Sequence, residues 1–153
     1  MINTAKDIEA LLSTLLKPAG FRKKGRNWRL ETPETVIVVN LQRSRWSDTY
    51  YLNFGILVRE LKDFPDPKDY QCHARIRLPE LMPDRLYGHA LFDLTNPTFG
   101  PEEREKEIAA AVRTYGLPLL ERCRTLAELR EAIAERPLLA HAAALRRLVG
   151  QIK

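Results

Sequence analysis

Only two cysteines, Cys72 and Cys123, occur in 153 residues, too few for the disulfide framework of a small secreted scaffold. The opening MINTAKDIEA holds neither a basic n-region nor an apolar h-region, so a reducing cytoplasm is the expected compartment. Long apolar runs are also missing. The stretches Val36 to Val39 and Leu138 to Ala140 are broken by polar residues within a few positions, whereas a membrane span takes about 18 apolar residues, and no membrane association is expected. Glycine is scarce, with 7 residues, and neither a repeat nor a low-complexity tract occurs, which excludes collagenous and solenoid folds. The fingerprints G-x-G-x-x-G, Walker loop, G-x-S-x-G, S-x-x-K and H-E-x-x-H are all absent, which removes the common phosphate-cradling and catalytic motifs.

What is present describes an ordinary globular chain: 44% hydrophobic and 29% charged residues, enough to bury a core unaided. A length of 153 residues predicts one domain over 1–153, with a helix and sheet in 1–100 and a helical part in 101–153. The 25 Lys+Arg exceed the 20 Asp+Glu by 5, a mild excess that suits an anionic partner without requiring one.

Hydrophobic period assigns the elements. Ile8, Leu11, Leu12, Leu15 and Leu16 fall on one helical face, Thr4 and Asp7 form a capping box, and Pro18 and Gly20 stop the helix. The period then changes to two, predicting strands over 27–31, 36–43, 50–58 and 72–78. Pairing Leu41 with Leu52, Val39 with Phe54 and Ile37 with Ile56 makes one face wholly apolar, and a slip of one residue would mix the faces. The same register sets Gln42 beside Tyr51, Asn40 beside Asn53 and Val38 beside Gly55 on the other face. In the fourth strand, Cys72, Ala74, Ile76 and Leu78 are expected on the apolar side. His73, Arg75 and Arg77 are then expected with the amides, where Gly55 leaves room. Residues 89–94 fit a short strand. Pro101 opens a helix that Gly116 stops, Thr125 and Glu128 cap another that ends before Pro137, and Leu138, Ala142, Leu145, Val149 and Ile152 form a stripe on a last helix. The expected fold class is α+β: an antiparallel sheet of about four strands packed on one face by an N-terminal helix and C-terminal helices.

Two groups of residues are candidates for a site. The first is the polar sheet face, Asn40, Gln42, Tyr51, Asn53, His73, Arg75 and Arg77, which combines cations, amides, a phenol and an imidazole and suits an anionic or hydrogen-bonding partner. The second is the basic stretch Lys17 to Arg29, where Arg22, Lys23, Lys24 and Arg26 interleave with Phe21 and Trp28, together with the loop residues Arg43, Arg45 and Trp46. That pattern can track phosphates and stack bases, but the reading preferred is a solvated turn whose two aromatics anchor the helix-to-strand corner in the core. Cys72, His73, His89, Cys123 and His141 match no zinc spacing, and adjacent strand residues point to opposite faces, so neither metal nor cofactor is expected. The acidic run from Glu102 to Glu107 is explained by the positive end of a helix.

Lys17-Pro18-Ala19-Gly20-Phe21-Arg22-Lys23-Lys24-Gly25, then Trp28-Arg29, Val39-Asn40-Leu41-Gln42-Arg43-Ser44, Tyr51-Leu52-Asn53-Phe54-Gly55 and Cys72-His73-Ala74-Arg75-Ile76-Arg77-Leu78 resemble, in order and spacing, the bacterial domain-of-unknown-function family numbered 4304. The resemblance spans about residues 8–135 and departs from the family pattern near Phe92-Asp93-Leu94, where a tryptophan is expected. It implies a small α+β domain and supplies no activity. The expected function is therefore a non-catalytic binding module, of an immunity or antitoxin kind, acting on a protein or an anionic ligand as a monomer or homodimer. The alternatives are weak, sequence-independent nucleic-acid binding through residues 17–29 and a hydrolase using His73.

Overall fold

The computed structural model describes residues 1–150. Helix α1 (Ala5–Leu16) leads through a short turn into five strands: β1 (Arg22–Lys24), β2 (Asn27–Glu31), β3 (Thr35–Arg43), β4 (Tyr50–Val58) and β5 (Ala74–Arg77). Helices α2 (Arg85–Leu91), α3 (Pro101–Ala111), α4 (Leu117–Arg122), α5 (Leu126–Glu135) and α6 (Ala143–Leu148) follow. The strands form one antiparallel sheet in the order β1-β2-β3-β4-β5, an α+β architecture. Its β3–β4 register pairs Ile37 with Ile56, Val39 with Phe54 and Leu41 with Leu52, as the alternation requires. Those side chains, with Trp28, Ala74 and Ile76, meet Ile8 and Leu12 of α1, Ile108 of α3, Ile133 of α5 and Leu145 of α6 in the main core.

The opposite face is covered only in part. Residues 59–72 cross it and bury Val36, Val38 and Leu57 against Cys72, with Phe64 beside them. A Cβ on Gly55 would stand 3.0 Å from the backbone of Asp69 and from Cys72 Sγ. The room expected at Gly55 is thus filled by the turn at Asp69–Gln71.

Several elements differ from the sequence reading. The fifth strand, β1, went unrecognised because Arg22-Lys23-Lys24 carries no apolar residue to show a period; it hairpins onto β2 through Gly25, whose φ is +62°. The last strand begins at Ala74, not Cys72, because Asp69–Gln71 is wound as a 3-10 turn and delivers Cys72 to the covered face, opposite Ala74 and Ile76. Residues 89–94 are no strand: Asp84 caps α2 by accepting the Tyr87 N–H at 3.0 Å, and only Asp93 pairs, in one bridge with Thr49. Gly116 does not stop its helix. The chain loosens into a π turn at Val112–Gly116 and continues as α4, with Gly116 close enough to Phe54 that a Cβ would meet its ring at 3.2 Å. At the C-terminus, a 3-10 turn at Pro137–Leu139 buries Leu139 and leaves Leu138 at 91% exposure. Leu145 is buried, and Ile152 lies outside the described residues.

Candidate functional site

The open part of the second sheet face carries one lateral row that crosses every strand. The registers align Lys24 with Asn27, Asn27 with Asn40, Asn40 with Asn53 and Asn53 with Arg77. Strand spacing makes this row roughly 19 Å wide. Three amides lie between two cations. Arg77 Nε donates to Asn53 Oδ1 at 3.0 Å, Asn53 Nδ2 donates to Asn40 Oδ1 at 3.1 Å and to Gln42 Oε1 at 3.0 Å, and Asn40 Nδ2 donates to Asn27 Oδ1 at 2.9 Å. The chain of donors runs in one direction, from Arg77 to Asn27. Each amide therefore has its oxygen and nitrogen assigned by its neighbours.

The ends of this chain are held differently. Asn53 is only 5% exposed and both of its Nδ2 hydrogens are used. The Arg77 guanidinium lies 4.2 Å from the centroid of the Tyr51 ring, a cation–π contact, and its two terminal nitrogens are neither hydrogen-bonded within the described residues nor fully buried. Tyr51 is in turn met edge-on by His89, with centroids 6.5 Å apart. Burial, and then the positive charges of Arg85 and Arg77, hold the His89 pKa below its ordinary value. A shallow cavity of about 280 Å³ adjoins Arg77, lined also by Asn53, Arg75, Glu80, Leu138 and His141. Arg75 turns to Asp69 at 3.5 Å. At the far end Lys24 reaches Asp66 at 3.2 Å.

His73 does not join this face. It is 8% exposed, and its Nδ1 accepts the Val58 N–H at 2.9 Å, while burial lowers its pKa. The 3-10 turn that displaces Cys72 also turns this imidazole inward. Asn27 and His89 belong with the site, and the sequence reading missed both. The alternation of Asn27, Arg29 and Glu31 against Trp28 and Leu30 places Asn27 on this face once β2 is registered on β3. His89 gave no signal, because it sits on α2.

The basic segment divides between the two faces. Lys23 and Arg26 both pair with Glu9, at 3.0 and 3.3 Å, and Lys24 and Arg29 both pair with Asp66, at 3.2 and 2.8 Å. Phe21 and Trp28 are core residues, and Trp28 Nε1 donates to Ser13 Oγ at 3.0 Å. Arg22 stays exposed. In the β3–β4 loop Arg43 stands 3.8 Å from Asp48, Arg45 is exposed, and Trp46 is 91% exposed.

Residues 12–122 match the family described as a domain of unknown function, DUF4304. The chain belongs to that family. No curated protein and no solved structure matches it. The whole row, from Lys24 to Arg77, lies within the matched residues. No helix among the described residues is long and apolar enough to cross a membrane.

Proposed function

We propose that this DUF4304 chain is a non-catalytic binding protein whose open sheet face takes an acidic surface of a protein partner, as an immunity or antitoxin module does. The observation that carries the reading is the row from Lys24 to Arg77. Its unspent hydrogens are those of Asn27 Nδ2, one on Asn40 Nδ2, the Gln42 amide and the Arg77 terminal nitrogens, and all of them are donors. A surface that offers donors and cations fits carboxylates and carbonyl oxygens. Arg77 is the anchor, because its stacked, Nε-bonded guanidinium presents a fork that a carboxylate fills with two parallel bonds. Binding is favoured over catalysis because the nucleophiles are unactivated: burial pushes the Cys72 and Cys123 thiols up to about 12, and the His73 acceptor is occupied. A protein partner is favoured over nucleic acid because the interleaved aromatics Phe21 and Trp28 are in the core and Tyr51 is occupied by Arg77, so neither the basic segment nor the row offers a base-stacking platform, and the exposed Trp46 stands apart on the β3–β4 loop. The setting proposed is the bacterial cytoplasm.

The test is affinity capture from native lysate, with and without nuclease, comparing the native protein with Arg77→Ala and Gln42→Ala. Binding of an acidic protein that survives nuclease and weakens at least tenfold in Arg77→Ala supports the reading. Capture that nuclease abolishes, or that both folded variants retain in full, refutes it.

A further inference from the structure

A second group of cations converges beyond the β1 end of the row, in a cleft of about 550 Å³ lined by Arg22, Lys24, Arg29, Glu31, Asp66 and Pro67 among others. Small-molecule sites begin near ~300 Å³, so the cleft has room for an oxyanion and part of its substituent. Arg22 lies directly across from Arg29 in the β1–β2 register, and Lys24 is two residues along on the same side.

Arg29 forms the floor. Its side chain is 11% exposed; Nε donates to Pro67 O at 3.1 Å and Nη1 meets Asp66 Oδ1 at 2.8 Å. Its third nitrogen, Nη2, is buried with no hydrogen-bond partner. A buried cationic donor left unpaired is costly, and such groups call for an explanation. Asp66 is the one carboxylate engaged here, since Glu31 leans toward Arg59 at 3.6 Å. It bridges Arg29 and Lys24 from the backbone of a Pro65-Asp66-Pro67 loop at a φ of +55°, the sole non-glycine residue with positive φ among the described residues. One carboxylate on a strained loop thus pairs with two of the three cations of the cleft, and Arg22 lacks any ion pair among the described residues. Strain of this kind at a charged contact points to a site.

We infer that this cleft is an oxyanion site for a phosphate monoester, and that Asp66 is the resident counter-ion which the ligand displaces. A phosphate monoester carries about −1.5 to −2 charges, so it balances Arg22, Lys24 and Arg29 better than one carboxylate does, and it has an oxygen to spare for Arg29 Nη2. Arginine pairs phosphate through two parallel bonds. The released Asp66 carboxylate moves to solvent, where it is already partly exposed, and its loop relaxes from the left-handed conformation. The same chemistry is found on a phosphorylated small molecule and on a phosphorylated side chain of a protein.

The experiment is calorimetric titration of the full chain with inorganic phosphate at fixed ionic strength, with sodium acetate as the control. An intramolecular competitor acts at an effective concentration of roughly millimolar. Removing it with Asp66→Ala or Asp66→Asn is expected to tighten phosphate binding about tenfold, while the double variant Arg22→Ala/Lys24→Ala loses it. Asp66→Asn keeps the size of the side chain and decides the matter where Asp66→Ala alters the loop, as far-UV circular dichroism would show. Unchanged or weaker phosphate binding in folded Asp66→Asn overturns the inference, as does acetate giving the same response as phosphate. Free phosphoserine and a short peptide bearing one phosphoserine then separate the sources: equal affinities assign a small molecule, and tighter peptide binding assigns a protein. A single-stranded oligonucleotide that binds more tightly than either overturns the monoester assignment in favour of a nucleic-acid backbone. The cleft shares Lys24 with the row but lies at the opposite end of the sheet face from Arg77, and its test reads phosphate binding through Asp66 rather than partner binding through Arg77, so this inference and the function proposed above fail separately.

Discussion

Replacing Asn53 by Leu removes the central link of the row while keeping the number and branching of the side-chain heavy atoms. Two neutral bonds are lost, to Asn40 and Gln42, and one charge-assisted bond, from Arg77. At ~0.5–1.5 kcal/mol for each neutral bond and ~1.5–3 kcal/mol for the charged one, the gross loss is about 2.5–6 kcal/mol. Most of it is recovered. Asn40, Gln42 and Arg77 all reach solvent and rehydrate, and the leucine buries apolar surface worth about 1 kcal/mol. The expected net cost is about 1–2 kcal/mol, a fall in Tm of roughly 2–8 °C for a chain of this size. The larger effect is on order. Arg77 loses the acceptor that fixes its Nε, so ordering its side chain moves from folding to binding, where it costs ~0.5–1.5 kcal/mol, a two- to tenfold loss of affinity for the partner. Scanning calorimetry reads the first quantity, and the Arg77 Nε–Hε resonance reads the second without any partner, by faster solvent exchange. A stability loss above about 4 kcal/mol would show that Asn53 is a pillar of the core. An Arg77 resonance unchanged in the variant would show that the stacking on Tyr51 alone holds the guanidinium, and would refute the idea of a pre-ordered row.

Three other perturbations follow from the structure. Arg104 is buried and donates to the carbonyls of Ala90 at 3.0 Å, Leu91 at 2.6 Å and Asn96 at 2.9 Å; Arg104→Met strands these acceptors away from water and is expected to cost about 3–5 kcal/mol in urea unfolding, with Arg104→Lys recovering part. His73 is held neutral in the fold by burial, so its folded pKa lies below the unfolded value of about 6.5. Its contribution is complete above that pH and is lost as pH falls through the folded pKa; His73→Asn keeps an acceptor for the Val58 N–H, cannot ionise, and is expected to show a smaller drop in Tm between pH 7.5 and pH 5. Gly55→Ala drives a methyl against the Asp69 backbone at 3.0 Å, an overpacking expected to cost about 1–3 kcal/mol and to lift the 59–72 segment, seen as faster labelling of Cys72 by a thiol reagent.

The elements legible in the sequence are those whose side chains alternate between oil and water. In β3 and β4 every second residue enters the core, and the resulting register is correct at each pair from Ile37–Ile56 to Gln42–Tyr51. The N-cap of α5 is equally local: Thr125 Oγ1 accepts the Glu128 N–H at 3.2 Å, without the returning bond from Glu128 that would complete a capping box. Where tertiary contacts override local pattern, the reading failed. Strand β1 is an edge whose Arg22 and Lys24 face solvent and whose Lys23 lies along Trp28 at 5.5 Å, so it has no apolar period to find. Gly116 reads as a stop but serves as the gap that admits Phe54. The candidate site was legible in its centre, Asn40 with Asn53, and at its Arg77 end. Its Lys24 end and the flanking His89 were not, because Lys24 read as part of a charge run and His89 lay in a helix that Pro79 and Pro83 disguised.

The distribution of residues on the second sheet face bears on whether the row is merely a wetted surface. Where residues 59–72 cover that face, the sheet supplies Val36, Val38 and Leu57; where nothing covers it, the sheet supplies amides and cations. Exposure alone explains polarity in the bare half. It does not explain cross-linking. Isolated solvated side chains on a strand satisfy themselves with water and gain little from one another, since net contributions of exposed polar pairs are small. Here Asn53 is withdrawn from water, uses every hydrogen of its amide on neighbours, and receives a guanidinium that is also stacked on Tyr51. Such an arrangement spends side-chain entropy during folding on groups that the core does not need. That expenditure has its physical use in recognition, where a fork ordered beforehand binds without the ordering cost.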